Sequence, residues 1–153
     1  MIRKVVKFII IVLLMAFIFS LSADTGSQST KKSDSIIVKS CEVILERKLS
    51  EYEKEKYIKK FVKIVRKSAH LFLYFLLGLA IISFIKEFTI ISYRSIALTI
   101  LIVFVYAISD EVHQMFVNGR SGEILDVVID TIGGIAASFS YWTLNNWRRR
   151  FDE

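Results

Sequence analysis

The sequence predicts an all-α integral membrane protein: a four-helix bundle with an amphipathic helical segment between helices 1 and 2. Three observations lead to this class. The 153-residue chain is 54% hydrophobic, it contains no proline, and it carries four long apolar runs. Such a composition is too apolar for an ordinary soluble domain of this size. We therefore expect one membrane domain over 1–153.

The net charge of +6 limits the classes of partner. A basic chain can bind nucleic acid, but no motif for that function is recognisable, and the basic residues lie beside apolar runs. Contact with the anionic headgroups of a lipid bilayer explains the charge better. Cys41 is the only cysteine, so an intrachain disulfide is excluded. We predict the bilayer as a partner, no nucleic acid and no cofactor, and we leave metal binding open.

The first apolar run predicts a helix over 5–23, close to the roughly 20 residues that cross a bilayer core. A basic stretch precedes the run and small residues follow it, so a cleavable signal peptide is the alternative. We favour a retained helix. The segment 20–35 is rich in Ser, Thr, Asp and Gly, which compete for backbone hydrogen bonds and should end the helix.

The segment 36–67 is rich in charged residues, unlike the apolar run of the first helix. Apolar residues such as Leu45, Tyr52 and Phe61 recur mostly at intervals of three and four, and lysines and glutamates fill the other positions. This pattern predicts an amphipathic helix that lies in the headgroup plane or caps the bundle. The spacing of the apolar residues becomes irregular at 53–56, where two shorter helices are expected to meet.

Three further apolar runs predict membrane helices over 68–85, 95–117 and 124–144. His70 and Tyr74 lie four residues apart in the first of these runs, so they share one helix face and can both point into the bundle. Ionisable groups at membrane depth are costly enough to be treated as functional candidates.

The last helix carries Asp126 and Asp130 one turn apart on the same face. Asp130 lies about 9 Å beyond Ile124 along the axis, inside the apolar span. An isolated acid there costs about 2.5–3.5 kcal/mol on insertion scales, so it should be paired or lie in a wet cavity. We predict Arg120 or His70 as its partner.

The polar residues should converge at one membrane face, because in an antiparallel bundle the ends of helices 1 and 3 lie beside the starts of helices 2 and 4. Ser20 and Ser22 belong to the same end. The predicted binding or functional cluster consists of Lys67, His70, Tyr74, Asp110, Glu111, His113, Gln114, Arg120, Asp126 and Asp130.

These residues, in this order and spacing, resemble the VanZ-like family. The resemblance rests on Phe19-Ser20-Leu21-Ser22-Ala23, Lys67-Ser68-Ala69-His70 with Tyr74, Ser109-Asp110-Glu111-Val112-His113-Gln114-Met115-Phe116, Gly119-Arg120, and Asp126 with Asp130, Gly133 and Gly134. It covers most of the chain outside 36–60. Two positions depart from the family pattern: Asn118 stands where proline is common, and Leu73 where a polar or acidic residue is frequent.

The resemblance implies a four-helix integral membrane protein. The best known members of the VanZ-like family confer low-level resistance to the glycopeptide teicoplanin by a mechanism that is not established. A glycopeptide or a lipid-linked cell-wall compound is accordingly an expected ligand, and we expect a multi-pass protein of the cell membrane.

Orientation depends on the first helix, which usually dominates topology and here follows basic residues. We predict cytoplasmic termini, which turns the polar cluster outward. The segment 23–67 opposes this assignment with 12 Lys or Arg, but these are mixed with 7 acids in a segment expected to lie along the interface.

Three classes of function agree with this pattern. The leading one is a resistance-type membrane protein that binds an amphiphilic or lipid-linked ligand at the outer leaflet. The second is an intramembrane hydrolase or transferase that acts on a lipid headgroup, because histidines and aspartates ligate metals and act as acids and bases. A structural or transport role is the third.

Overall fold

The structure is a computed structural model that describes residues 1–149, and five helices contain most of them. Their bounds are α1 Ile2–Ser22, α2 Gly26–Leu45, α3 Glu51–Ile85, α4 Tyr93–Gln114 and α5 Ile124–Arg149. No strand occurs within the described range. All helices except α2 are long and apolar enough to cross a membrane. The predicted all-α, four-helix fold is confirmed. Residues 150–153, which we include in the predicted domain, lie outside the described residues.

α1 presents most of its apolar side chains outward, as a lipid-facing helix does. Phe8, Leu13 and Phe17 are each about half exposed or more, whereas Ile18 is buried against α3 and α4. At the opposite end from the polar cluster, Lys7 Nζ donates hydrogen bonds to the carbonyl of Ser83 and to a Glu87 carboxylate oxygen 2.5 Å away. These contacts join α1 to the end of α3.

α2 begins ten residues before the start of the predicted amphipathic segment. Thr25 caps it reciprocally with Gln28: each side chain accepts a hydrogen bond from the other residue's backbone N–H. The Ser/Thr-rich stretch thus starts a helix as well as ending one. The Gly26 N–H donates to the carbonyl of Asn118 at 3.1 Å, so the α1–α2 corner lies against the α4–α5 loop.

α3 is a single helix through both the charged stretch before residue 68 and the apolar run after it. The break expected at 53–56 lies instead at 46–50, because Ser50 and Glu53 form a capping box that starts α3 at Glu51. Tyr52, predicted on the apolar face, is 76% exposed. With 35 residues, α3 is about 52 Å long and extends well beyond a hydrocarbon core of about 30 Å.

The ends of α4 and α5 also differ from prediction. α4 ends at Gln114, three residues early, because the N–H groups of Phe116 and Val117 bond to the carbonyls three residues before them and tighten the chain into a turn. Gly119 follows with φ +76°, a left-handed conformation that glycine adopts without strain. α5 begins at the predicted residue and continues past 144.

The closest helix contact joins α3 to α5 through small residues. A Cβ added to Gly133 would lie 2.6 Å from the carbonyl oxygen of Leu71, and one added to Gly78 would lie 3.0 Å from the Gly134 Cα. Gly134 in turn faces Val103 of α4. Small side chains let helix backbones approach this closely. The approach sets the distance between the polar residues of α3 and those of α5.

Candidate functional site

The centre of the site is formed by His70 and Tyr74 of α3, Asp110 of α4 and Asp130 of α5. Tyr74 is fully buried, and both aspartates are 1% exposed. One potential metal-ligand atom from each of His70, Asp110 and Asp130 lies within 4.8 Å of the other two. Three helices therefore bring an imidazole and two carboxylates together inside the bundle.

Asp110 is connected to α1 through one of its two carboxylate oxygens. The Ser22 hydroxyl donates to Asp110 Oδ2 at 2.8 Å, and the Gln114 amide donates to the same oxygen at 3.2 Å. Ser22 is 1% exposed. The predicted convergence of the α1 end with the α4 end therefore includes Ser22, whereas Ser20 is exposed and donates to the carbonyl of Phe17.

Asp130 lies beside His70 and not beside Arg120. Its Oδ2 is 3.5 Å from His70 Nδ1, a separation too long for a well-formed hydrogen bond. Of the two partners that we predicted, the structure thus brings His70 to this acid. Arg120 donates instead to the side-chain amide oxygen of Gln114 at 2.8 Å.

Two arginines meet at the side-chain amide oxygen of Gln114. Arg66 donates to it at 3.3 Å from α3, and Arg120 reaches it from the α4–α5 loop. Burial, followed by the neighbouring charge of Arg66, lowers the pKa of Arg120. The charges of Asp24, Asp110 and Glu111 act on Arg120 from a distance, but no ion pair joins these acids to either arginine among the described residues. A neutral amide oxygen does not compensate two guanidinium charges, so the pair offers a receptor for an anion.

Lys67, Asp126 and Glu111 lie at the outer edge of the cluster. Lys67 Nζ forms ion pairs with Asp126 at 2.8 Å and with Glu123 at 3.4 Å. Glu111 Oε1 accepts the backbone N–H of Glu123. These contacts attach the start of α5 to α3 and α4, a structural role that accounts for their position.

His113 is placed apart from the central cluster. Its ring stacks on Phe19 with the ring centroids 3.9 Å apart. It lies on α4 one residue before Gln114. It does not belong to the group formed by His70, Asp110 and Asp130, whose potential metal-ligand atoms lie within 4.8 Å of one another. Of the two histidines in the chain, only His70 belongs to the centre.

A cavity of about 200 Å³ opens beside this centre, between α1, α2 and α3. Ile18, Ile36 and Leu73 are among its apolar lining residues. Its polar lining includes Ser22, Asp24, Lys32, Arg66, His70, Tyr74 and Arg120. An amphiphilic compound matches this combination of apolar wall and charged end.

Unsatisfied polar atoms concentrate at the site. Within the part of the chain that the structure describes, eight buried side-chain nitrogen or oxygen atoms have no hydrogen-bond partner, and Asp34 and His113 carry two of them. The other six are Arg66 Nε, His70 Nδ1, Tyr74 OH, Asp110 Oδ1, Arg120 Nε and Asp130 Oδ1. Buried polar groups are normally hydrogen-bonded, so such a concentration indicates a place that receives a ligand.

The electrostatics of the centre lead to the same inference. Two ionised carboxylates at most 4.8 Å apart repel each other by at least about 3 kcal/mol at an effective dielectric constant of about 20. A proton, a cation or a donor from a ligand has to compensate that repulsion. The centre can therefore hold a cation or exchange a proton, while the two arginines hold an anion beside it.

Arg66 is the functional candidate that sequence reasoning missed. We assigned it to the charged amphipathic segment, but α3 is continuous, and Arg66, His70 and Tyr74 follow one another at intervals of four. That spacing on one helix was the available signal. Asp24 and Lys32, which pair at 2.5 Å beside the cavity, were missed because α2 was expected to begin later.

Comparison with known proteins identifies the family to which the chain belongs. The family model described as VanZ/LLP1 matches residues 7–145, nearly the whole chain. The chain belongs to the VanZ/LLP1 family. Together with the four apolar helices, this membership makes it a VanZ-type membrane protein. No curated protein and no solved structure matches the chain.

Proposed function

We propose that this VanZ-type protein binds an amphiphilic or lipid-linked ligand, whose anionic group enters between Arg66 and Arg120. One observation carries the proposal: both guanidinium groups donate to the same amide oxygen of Gln114, and the buried Nε atom of each has no partner among the described residues. Planar guanidinium groups bind carboxylates and phosphates through paired hydrogen bonds.

The apolar part of the ligand is proposed to follow the cavity wall between α1 and α2. Ile18 and Ile36 line that wall, and the cavity volume of about 200 Å³ suits a headgroup with the adjoining part of a chain. The rest of a long apolar chain would continue along the exposed apolar side chains of α1, which face the bilayer in our assignment.

We further propose that the termini are cytoplasmic and that the cavity opens at the outer leaflet of the cell membrane. In that orientation the cavity faces cell-wall precursors and glycopeptides. The resemblance to the resistance proteins of the VanZ-like family then makes teicoplanin tolerance the phenotype to test.

Arg120→Lys tests the anion receptor. Lysine keeps the charge but loses the paired hydrogen bonds, so the loss of one charge-assisted bond, about 1.5–3 kcal/mol, should weaken ligand binding roughly 10- to 100-fold. In a susceptible host, teicoplanin tolerance should fall towards that of cells without the protein. Asp110→Asn should have the same effect, and the double variant should show no additive loss.

Arg94→Lys is the matched control, because Arg94 is exposed at the opposite ends of the helices and bonds to the neighbouring Tyr93. It should leave tolerance unchanged. A structural clamp predicts a different result: Arg120→Lys would lower the amount and thermal stability of the detergent-purified protein. A wild-type protein that confers no tolerance would reject the resistance function and leave the anion receptor to be tested by direct binding.

A second function, hydrolysis or transfer of a lipid headgroup, is favoured by the cluster of His70, Asp110 and Asp130. An imidazole beside a carboxylate can serve as a general base, and the arginine pair can hold a phosphoryl group. Purified protein in vesicles of phosphatidylglycerol should then release a headgroup product detectable by mass spectrometry, and His70→Asn should abolish the release. Stable lipid over many hours would exclude this activity for that substrate.

A further inference from the structure

We propose that His70, Asp110 and Asp130 bind one divalent transition-metal ion of the Zn²⁺ or Mn²⁺ class. The three residues come from three helices, and one ligand-type atom of each lies within 4.8 Å of the other two. Ligand atoms in a tetrahedral arrangement around one such ion, with bonds of about 2.0–2.2 Å, lie roughly 3.3–3.6 Å apart. The side chains therefore need to close by about 1.5 Å at most, a distance that rotamer adjustment can supply.

Each of the three residues has one free atom of a type that binds metals. Asp110 Oδ1, Asp130 Oδ1 and His70 Nδ1 are buried and have no hydrogen-bond partner in the described part of the chain. Asp110 uses its other oxygen to accept from Ser22 and Gln114. Such bonds orient a carboxylate while leaving its second oxygen free to bind, which is the usual arrangement around a metal ligand.

Charge compensation at the centre also favours a divalent cation. A protonated His70 would match one of the two carboxylates, and the other would face only the more distant charge of Arg120. The arginines nearby donate to Gln114, and no ion pair between either arginine and Asp110 or Asp130 occurs among residues 1–147. A divalent cation compensates both acids and leaves the imidazole neutral, which is the form that binds metal.

The ligand set determines the class of ion. One imidazole with two carboxylates suits Zn²⁺, Mn²⁺ or Fe²⁺, whereas Ca²⁺ and Mg²⁺ prefer oxygen alone. Three protein ligands leave at least one coordination position open. His70 and Tyr74 also line the cavity, so the cavity provides an entry path to the ion.

Elemental analysis of the detergent-purified full chain tests the site. The protein is prepared with a histidine-free affinity tag and in a Cys41→Ser background, so that neither the tag nor the thiol binds metal. We expect close to one equivalent of Zn²⁺, Mn²⁺ or Fe²⁺ per chain. His70→Asn and Asp130→Asn should each lower the metal content at least tenfold.

His113→Asn is the matched control, since it removes the other histidine of the chain at a position outside the cluster, and its metal content should equal that of the wild type. The thermal midpoint provides a second readout. It should fall on addition of a chelator and recover with Zn²⁺ or Mn²⁺ in the wild type and in His113→Asn, and it should not respond in folded His70→Asn.

A wild type that contains no transition metal and gains no stability from added Zn²⁺ or Mn²⁺ overturns the proposal. Metal content that His70→Asn leaves unchanged overturns it as well, as does stabilisation by Ca²⁺ or Mg²⁺ alone. The metal site does not depend on the proposed ligand: Arg120→Lys, which tests ligand binding, should keep the metal, so failure of one proposal is distinguishable from failure of the other.

Discussion

Gly133→Ala should separate α3 from α5 and disturb the site without touching a polar side chain. The new Cβ would lie 2.6 Å from the Leu71 carbonyl oxygen and 3.0 Å from the Phe75 backbone nitrogen. Real Cβ contacts essentially never fall below 3.0 Å, so the helices must move by at least 0.4 Å. Both neighbours are backbone atoms of a helix, which cannot rotate away as a side chain can.

Overpacking of this kind typically costs about 1–3 kcal/mol. For a chain of this size, the thermal midpoint should fall by roughly 2–12 °C. Tryptophan fluorescence of the detergent-purified protein during heating is a suitable assay. Gly122→Ala is the control: its Cβ would lie 2.7 Å from the flexible Met115 side chain and at an ordinary contact distance of 3.8 Å from Glu111 Oε1, so its midpoint should stay near that of the wild type. Equal midpoints for the two variants would refute the close approach of α3 and α5.

Three further outcomes are expected. Asp130→Asn keeps the shape of a buried acid beside His70, so it should insert and express normally yet lose any phenotype that depends on the charge; full activity would make Asp130 a packing residue. Glu87→Gln removes the partner of Lys7, whose hydrogen bond lowers the pKa of Glu87. A lowered carboxyl pKa gives its full stabilisation above the ordinary value and loses it as the pH falls through the lowered value, so the stability difference from wild type should be present at pH 7 and should shrink progressively as the pH falls below about 4. The mass of the mature chain should include residues 1–23, and their absence would mean that α1 is a signal peptide.

The helical class and the four apolar spans followed from composition and run length, because burial in lipid requires long, nearly uncharged stretches. The limits of α2 and α3 did not follow. Capping by Thr25 and by Ser50 decides them, and serines and threonines favour helix starts as readily as helix ends. The phase slip at 53–56 indicated a break but placed it a few residues late.

The four residues at the centre of the candidate site were among those predicted from the sequence, but Arg66 and the pairing of the residues were not. The free-energy cost of an ionisable group at membrane depth indicated Asp110 and Asp130 as candidates. The spacing of four residues on one helix indicated His70 together with Tyr74. Sequence spacing within one helix carries no information on contacts between helices, so Gln114 as the meeting point of two arginines was not foreseen. For the same reason His113, close to these residues in sequence, was grouped with them although it stacks on Phe19.

We propose that the polar residues of α1, α3, α4 and α5 meet at the outer face of the membrane, and cysteine labelling tests this claim. Single cysteines replace Ser29 of α2, Gly122 of the α4–α5 loop and Asn146 near the end of α5, each in a Cys41→Ser background. In intact cells, a membrane-impermeant maleimide should label positions 29 and 122, and it should label position 146 only after permeabilisation. Labelling of positions 29 and 122 from opposite sides would contradict the claim.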